Sequence, residues 1–303
     1  MRLIVHLGFH KTASTWLQHL LNDHHADLAE RGIWYEPQPG YPAHHFAAWD
    51  LLLGDAGRFA AMLGNAAARG CHAVILSSED LEAVVYNPQV ADTIEAAALL
   101  HGVTAIEWHV ALREPGAYFA SLHAQLQHHV YADSVTMFTE VLRKGMLFVA
   151  DPLPGERGTP YWCYCFDHHA ALSDFAAATR HPVLVHDYAD ADPFPGWRLL
   201  DRLGALDAIT RAPGAEGRNE RLGRDAVTAG YRRRVADALG GALPDDVSAA
   251  VDACLAANLA AVPALSRAIG ARFADSHRAA LDEFSVAARS EVSPPPGNRA
   301  ESR

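Results

Sequence analysis

Lys11 stands alone in the stretch GFHKTASTW (residues 8–16), among Thr12, Ser14 and Thr15. The run RLIVHLG before it has the flat apolar character of a buried strand. After it, Leu17, Leu20, Leu21, His24 and Leu28 recur at helical spacing, and Arg31-Gly32 closes the pattern. A loop that leads a strand into a helix leaves backbone N–H groups unpaired at the helix start, and the helix dipole adds partial positive charge there. With a lysine and two hydroxyls beside it, such a loop suits a phosphate-like anion. The pattern differs from the Walker A loop GxxxxGK[ST], because Lys11 follows Gly8 by three residues and position 13 is Ala. The plain alternative is a strand–turn–helix junction with a solvated lysine.

Two further polar clusters follow apolar runs. The segment TAIEWHVALREP (104–115) reads as a strand ending in Arg113, and Pro115 opens a helix with Phe119, Leu122, Leu126 and Val130 on one face and Ser121 within it. A guanidinium fork suits a phosphate, whereas a salt bridge with Glu114 is the ordinary alternative. The segment CHAVILSSED (71–80) reads as a strand that ends in Glu79 and Asp80. A carboxylate in a partly dry cleft can act as a base near neutrality, yet SSED is also a good helix-capping sequence. Tyr41, His44 and His45, with Trp49, either line a cleft for a second substrate or lie on the surface. The adjacent histidine pairs 24–25, 44–45, 128–129 and 168–169 make poor chelates, since neighbours on a helix point about 100° apart. With no HExxH present, no metal site is expected.

The elements that must position these residues alternate. Strands over 2–8, 71–77, 104–113 and 181–188 are separated by helical patterns, with a short strand or turn at 33–37, helix over 45–69 and from Pro88 to His101, a loop at 153–160, and helical character after about residue 193. Alternation of this kind predicts an α/β fold, a parallel sheet flanked by helices in three layers with a helical C-terminal part. Ligands of such sheets bind beyond the carboxyl ends of the strands, which is where the clusters at 8–15, 77–80 and 113–115 fall. The chain has 303 residues and a formal charge of −11, which disfavours a general nucleic-acid binder while leaving room for a local basic pocket. One domain over residues 1–289 is expected, with a Pro-rich polar tail, 290–303, expected to be disordered. The four cysteines fit neither a zinc nor a redox motif, the N-terminus lacks a signal-peptide layout, and no run of about 18 apolar residues occurs. A cytoplasmic protein without a membrane span is therefore expected.

GFHKTASTWLQ resembles the 5′-phosphosulfate loop PKTGTTWLQ of the sulfotransferases that use 3′-phosphoadenylyl sulfate (PAPS). ALREPGAYFASLHAQ (111–125) resembles their 3′-phosphate motif, an arginine at a strand end with a serine eight residues later on the next helix. LSSEDLE (76–82) and GRNERLG (217–223) resemble stretches of bacterial members, so the likeness spans roughly residues 2–240 and is strong at the first two motifs. It implies a P-loop nucleotide-kinase-like fold and transfer of a sulfuryl group from PAPS to a hydroxyl or amine, with no metal required. Carried over, Lys11 contacts the bridging oxygen, and Thr12, Ala13, Ser14, Thr15 and Trp16 supply N–H groups, with hydroxyls from Ser14 and Thr15. Arg113 and Ser121 hold the ribose 3′-phosphate, Arg218 and Asn219 reach the donor from a late loop, and Glu79 is the base, with Asp80 the weaker alternative. The acceptor stays open among sugar, lipid, peptide and small phenol. Where the family has Pro, this chain has His10; where it has Gly-Thr, this chain has Ala13-Ser14. Alanine is neutral at position 13 only if the backbone there has φ below zero. The rival functions are a nucleotide kinase of related fold, using ATP and Mg²⁺, and a nucleotide-binding protein without turnover.

Overall fold

A computed structural model of the protein describes residues 1–38, 40–129, 133–150, 158–209 and 224–285. Arg218, Asn219, the tail 290–303 and most of the loop 153–160 lie outside the described residues. The strands are β1 (Arg2–His6), β2 (Ile33–Tyr35), β3 (Ala73–Ser77), β4 (Ala105–Leu112), β5 (Met146–Ala150), β6 (Tyr161–Cys165) and β7 (Val183–Asp187). The helices are α1 (Ser14–Asp23), α2 (His25–Glu30), α3 (His45–Leu52), α4 (Gly57–Ala68), α5 (Pro88–Leu100), α6 (Pro115–His129), α7 (Ser134–Lys144), α8 (His168–Ala178), α9 (Trp197–Arg202), α10 (Arg224–Leu239) and α11 (Asp245–Phe284). A 3₁₀ helix, Glu79–Tyr86, follows β3.

Five strands form one parallel sheet in the order β2-β3-β1-β4-β7. Alternate residues of β1 explain why both faces are covered. Leu3 and Val5 belong to a core with α3, α4, α5 and α8, whereas Ile4 belongs to a core with Leu17, Leu20 and Leu21 of α1, Leu28 of α2 and Leu199 and Leu200 of α9. The result is the expected three-layer arrangement of helices around a parallel sheet. The chain runs from β1 to one side of the sheet and later to the other, so the carboxyl end of β1, between β3 and β4, is a topological switch point.

Three features depart from the sequence expectation. The helical stretch 45–69 is two helices, α3 and α4. The segments beside the loop at 153–160 are strands, β5 and β6, paired antiparallel in a small second sheet that shares a core with α6, α7 and α11. And α11, 40 residues long, meets by length and averaged composition the requirement for crossing a membrane, although no uninterrupted apolar run exists. Its Leu255, Asn258, Val262, Ile269, Phe273, Ala280 and Phe284 are buried at intervals of three, four or seven, the stripe of a helix laid along a protein core.

The core holds several neutral histidines. Burial pushes the pKa of His6 and of His168 down to about 3 and that of His44 to about 4. Such a group binds fewer protons folded than unfolded between its folded pKa and about 6.5, so its contribution to stability is present above that range and fades as pH falls through it. His10 and His45 are shifted the other way, but they are outnumbered, since burial lowers His109, His186 and His277 as well. The urea midpoint is expected to fall steadily from pH 7 to pH 4; a flat profile over that range would show that these histidines do not stay neutral in the fold.

Candidate functional site

The loop after β1 has a backbone that few sequences adopt. Gly8, Lys11 and Ala13 have φ of 50°, 61° and 63°. Left-handed residues alternating with right-handed ones turn successive N–H groups into one concavity, a shape that takes an anion. Ala13 is the N-cap of α1 and offers no side-chain cap. Among the described residues, the N–H groups of Thr12, Ala13, Ser14 and Thr15 have no acceptor, whereas that of Trp16 bonds the Ala13 carbonyl at 3.0 Å and is not free as expected. The condition for alanine to be neutral at position 13, φ below zero, is not met, because φ there is 63°. A non-glycine residue in this region is held at a cost of about 1–2 kcal/mol.

Two cations meet at this loop. Arg113, one residue past β4, donates from Nη1 to the Lys11 carbonyl at 2.9 Å and places its guanidinium 4.8 Å from the ring centre of Tyr188, just past β7. Neither Arg113 nor Lys11 makes an ion pair within 4 Å among the described residues, and Arg113 Nε is buried without a partner. The ordinary alternative for Arg113, a bridge to Glu114, is not what forms. Glu114 instead accepts from the Gly116 and Ala117 N–H groups at 2.8 and 2.6 Å and caps α6. Burial, then the nearby Arg113, lowers the Lys11 pKa, opposed by Glu79. Ser121 lies half-buried on α6.

The segment after β3 forms the facing wall. Ser78, not Glu79, caps the 3₁₀ helix, its Oγ accepting from the Asp80 N–H at 3.3 Å. Glu79 is half-buried and accepts the Ser14 hydroxyl at 3.0 Å, so that hydroxyl is engaged within the protein rather than pointing freely into the cradle as expected. Thr12 likewise donates its hydroxyl to the Phe9 carbonyl. Asp80 is buried and accepts from Trp49 Nε1 at 2.6 Å and Trp162 Nε1 at 2.9 Å, with His45 Nδ1 at 3.0 Å. Burial works against the Asp80 charge, but His45 outweighs it and the pKa is lowered; burial likewise opposes charge on His45, yet Asp80 and Glu79 raise it.

Of the three residues expected to line a second cleft, two lie on this wall. His45 stacks on Trp49 with ring centres 6.0 Å apart, and exposed Tyr41 meets the His45 ring edge-on at 6.2 Å. His44 is excluded. It is buried, its Nε2 lies 3.0 Å from the Glu36 carbonyl, and its Nδ1 accepts the Ser77 N–H at 3.0 Å, so it braces β3.

Behind the loop lies a residue to which sequence reasoning gave no role. Glu82 is fully buried, and its carboxylate accepts the His10 N–H at 3.0 Å, the Tyr118 hydroxyl at 2.9 Å and the Cys165 N–H at 2.7 Å, with His10 Nδ1 at 2.8 Å. Burial disfavours charge on His10, but Glu82, with Glu79 and Asp80, outweighs it and raises the pKa. The one visible signal was His10 where the resembling loop has proline. Phe194, with its ring centre 5.1 Å from that of half-buried Trp16, was also missed.

Among the described residues no group of three His, Cys, Asp or Glu side chains gathers to hold a metal. An apolar groove of about 460 Å³, lined by Tyr231, Val247, Val251 and Leu255 among others, lies between α10 and α11, on elements that carry none of these residues. No family model matches the chain, and no curated protein or solved structure matches it.

The left-handed conformation at position 13 is directly testable. Ala13→Gly is expected to stabilise the protein by about 0.5–1 kcal/mol, the relief of a positive φ outweighing the extra freedom of the unfolded chain. A lowered denaturant midpoint would show that the loop does not hold this conformation.

Proposed function

We propose that the protein is a sulfotransferase that moves a sulfuryl group from PAPS to a hydroxyl or amine acceptor. One observation carries the proposal: Lys11 and Arg113, just past the ends of adjacent strands, are tied by a hydrogen bond from the guanidinium to the Lys11 carbonyl, with no carboxylate in ion-pair contact among the described residues, in a chain whose formal charge is −11. Like charges brought together disfavour each other, and an anionic ligand with more than one charged group relieves both. The uncapped start of α1 adds neutral donors aimed at the same place.

In this reading the N–H groups of residues 12–15 and Lys11 hold the phosphosulfate end of the donor, and Arg113 with Ser121 holds the ribose 3′-phosphate. The reaction leaves adenosine 3′,5′-bisphosphate, and charge grows on the bridging oxygen as the sulfuryl group departs. Lys11 neutralises that charge, so no metal is needed for it. Its lowered pKa is the mark of a lysine partly withdrawn from water, where its field is least screened. Glu79, the half-buried carboxylate on the loop, takes the acceptor's proton. His45 and Tyr41 stand on the acceptor side.

A second reading, nucleotide binding without turnover, has the left-handed Ala13 in its favour. Thermal melting separates the possibilities. Adenosine 3′,5′-bisphosphate at about 100 times its Kd is expected to add about 2.7 kcal/mol of stability, and ATP with Mg²⁺ little. Stabilisation by Mg-ATP alone would identify a kinase instead. Lys11→Ala is expected to lower sulfuryl transfer by about 10²–10³, and near-normal turnover would remove Lys11 from the chemistry. Arg113→Ala is expected to weaken bisphosphate binding by about tenfold or more, the loss of one charged hydrogen bond; unchanged affinity would contradict its place at the 3′-phosphate.

A further inference from the structure

The Lys11 and Ala13 conformations need a cause, because left-handed residues persist only where their surroundings dictate them. Loop residues 8–13 carry no proline. What fixes the middle of the loop is His10, the residue before Lys11, and it is fixed twice by one oxygen. Glu82 Oε2 accepts the His10 backbone N–H at 3.0 Å and lies 2.8 Å from His10 Nδ1. The carboxylate is held to the body of the protein as well: Oε1 accepts the Cys165 N–H of β6 at 2.7 Å, and the Tyr118 hydroxyl of α6 straddles the two oxygens, 2.9 Å from Oε1 and 3.1 Å from Oε2. The imidazole is enclosed on its remaining sides by Tyr164, ring centres 4.8 Å apart, by Trp162 at 6.1 Å, and by Asp80, whose Oδ1 is 3.9 Å from Nε2.

We infer that Glu82 is a positioning residue for the donor cradle: its carboxylate is anchored in the scaffold by Cys165 and Tyr118 and clamps His10 through Oε2, so that Lys11 and the N–H groups after it are presented ready-made to the anion. The inference rests on the donor reading above for the identity of the ligand, but the clamp itself does not. A carboxylate suits the place, since the two backbone N–H groups, of His10 on Oε2 and of Cys165 on Oε1, each need an acceptor oxygen. Loss of this preorganisation weakens ligand binding, because the loop must then be ordered when the ligand arrives.

The His10 clamp and the scaffold contacts can be separated experimentally. Glu82→Gln, with its amide oxygen kept at the Tyr118 and Cys165 side, retains the scaffold bonds and sets an NH₂ against the His10 N–H. Tyr118→Phe removes the hydroxyl that straddles the carboxylate and leaves both His10 contacts to Oε2 in place. Calorimetric titration with adenosine 3′,5′-bisphosphate is expected to show about tenfold weaker binding for Glu82→Gln and unchanged binding for Tyr118→Phe, whichever of the two melts lower. Hydrogen exchange of the His10 and Trp16 amides, the hydrogen-bonded ones of the loop, is expected to quicken in Glu82→Gln with the sheet amides unaffected, a readout that needs no ligand. If wild-type protein fails to bind the bisphosphate while the exchange result holds, the donor reading falls and the clamp stands. If Glu82→Gln leaves the loop amides as protected as in the wild type, or if both variants lose affinity only in proportion to lost stability, the clamp is refuted. Should Glu82→Gln not fold, His10→Ala, which deletes the ring bond and keeps the backbone one, is judged by the same two measurements.

Discussion

A carboxylate sealed from water is tolerated only if its lone pairs are all answered, and the answer at Glu82 comes from three different parts of the chain. His10 belongs to the loop after β1, Tyr118 to α6 and Cys165 to β6. Those contacts tie the main parallel sheet to the small antiparallel one and to the helix that follows Arg113. The same point that joins the two sheets thus also sets the loop that carries Lys11, so that the fold and the candidate site share one constraint.

Parallel order does the rest. Because β1 lies between β3 and β4, the residues just past their carboxyl ends necessarily meet: Gly8 to Ala13 from one strand, Ser78 to Glu82 from the second and Arg113 from the third, with Tyr188 added by β7. Adjacency in the sheet brings together a lysine and an arginine that are 102 positions apart in sequence. An acidic protein can in this way hold a local basic mouth.

Much of this was legible beforehand. The main-sheet strands announced themselves as apolar runs, and Lys11, Glu79 and Arg113 stood out because each ends such a run with a change of chemistry. What escaped was decided by long-range partners. Glu82 has the look of a surface carboxylate in a polar segment, and nothing nearby shows that its partners are residues 10, 118 and 165. His44 and His45 are indistinguishable in sequence; the one turns into the core to brace Ser77 and the other faces Asp80. SSED does cap, but which of its residues caps depends on where the 3₁₀ helix begins, and with Ser78 in that place Glu79 meets Ser14 instead. β5 and β6 are as long as β1, β3 and β7 but escaped because they pair with each other rather than with the main sheet, which leaves Phe148 and Ala150 of β5 exposed and gives that strand no continuous buried face.

The close seat of α11 on α6 has a further meaning. A Cβ on Gly116 would come within 2.5 Å of the Ser266 carbonyl, and one on Gly270 within 2.5 Å of Glu114 Oε1. The two helices therefore touch backbone to backbone beside the carboxylate next to Arg113. With no room for a side chain at either glycine, this contact fixes the backbone around Glu114, the neighbour of Arg113, from a helix whose Ser266 stands 150 positions away from Gly116 in the chain.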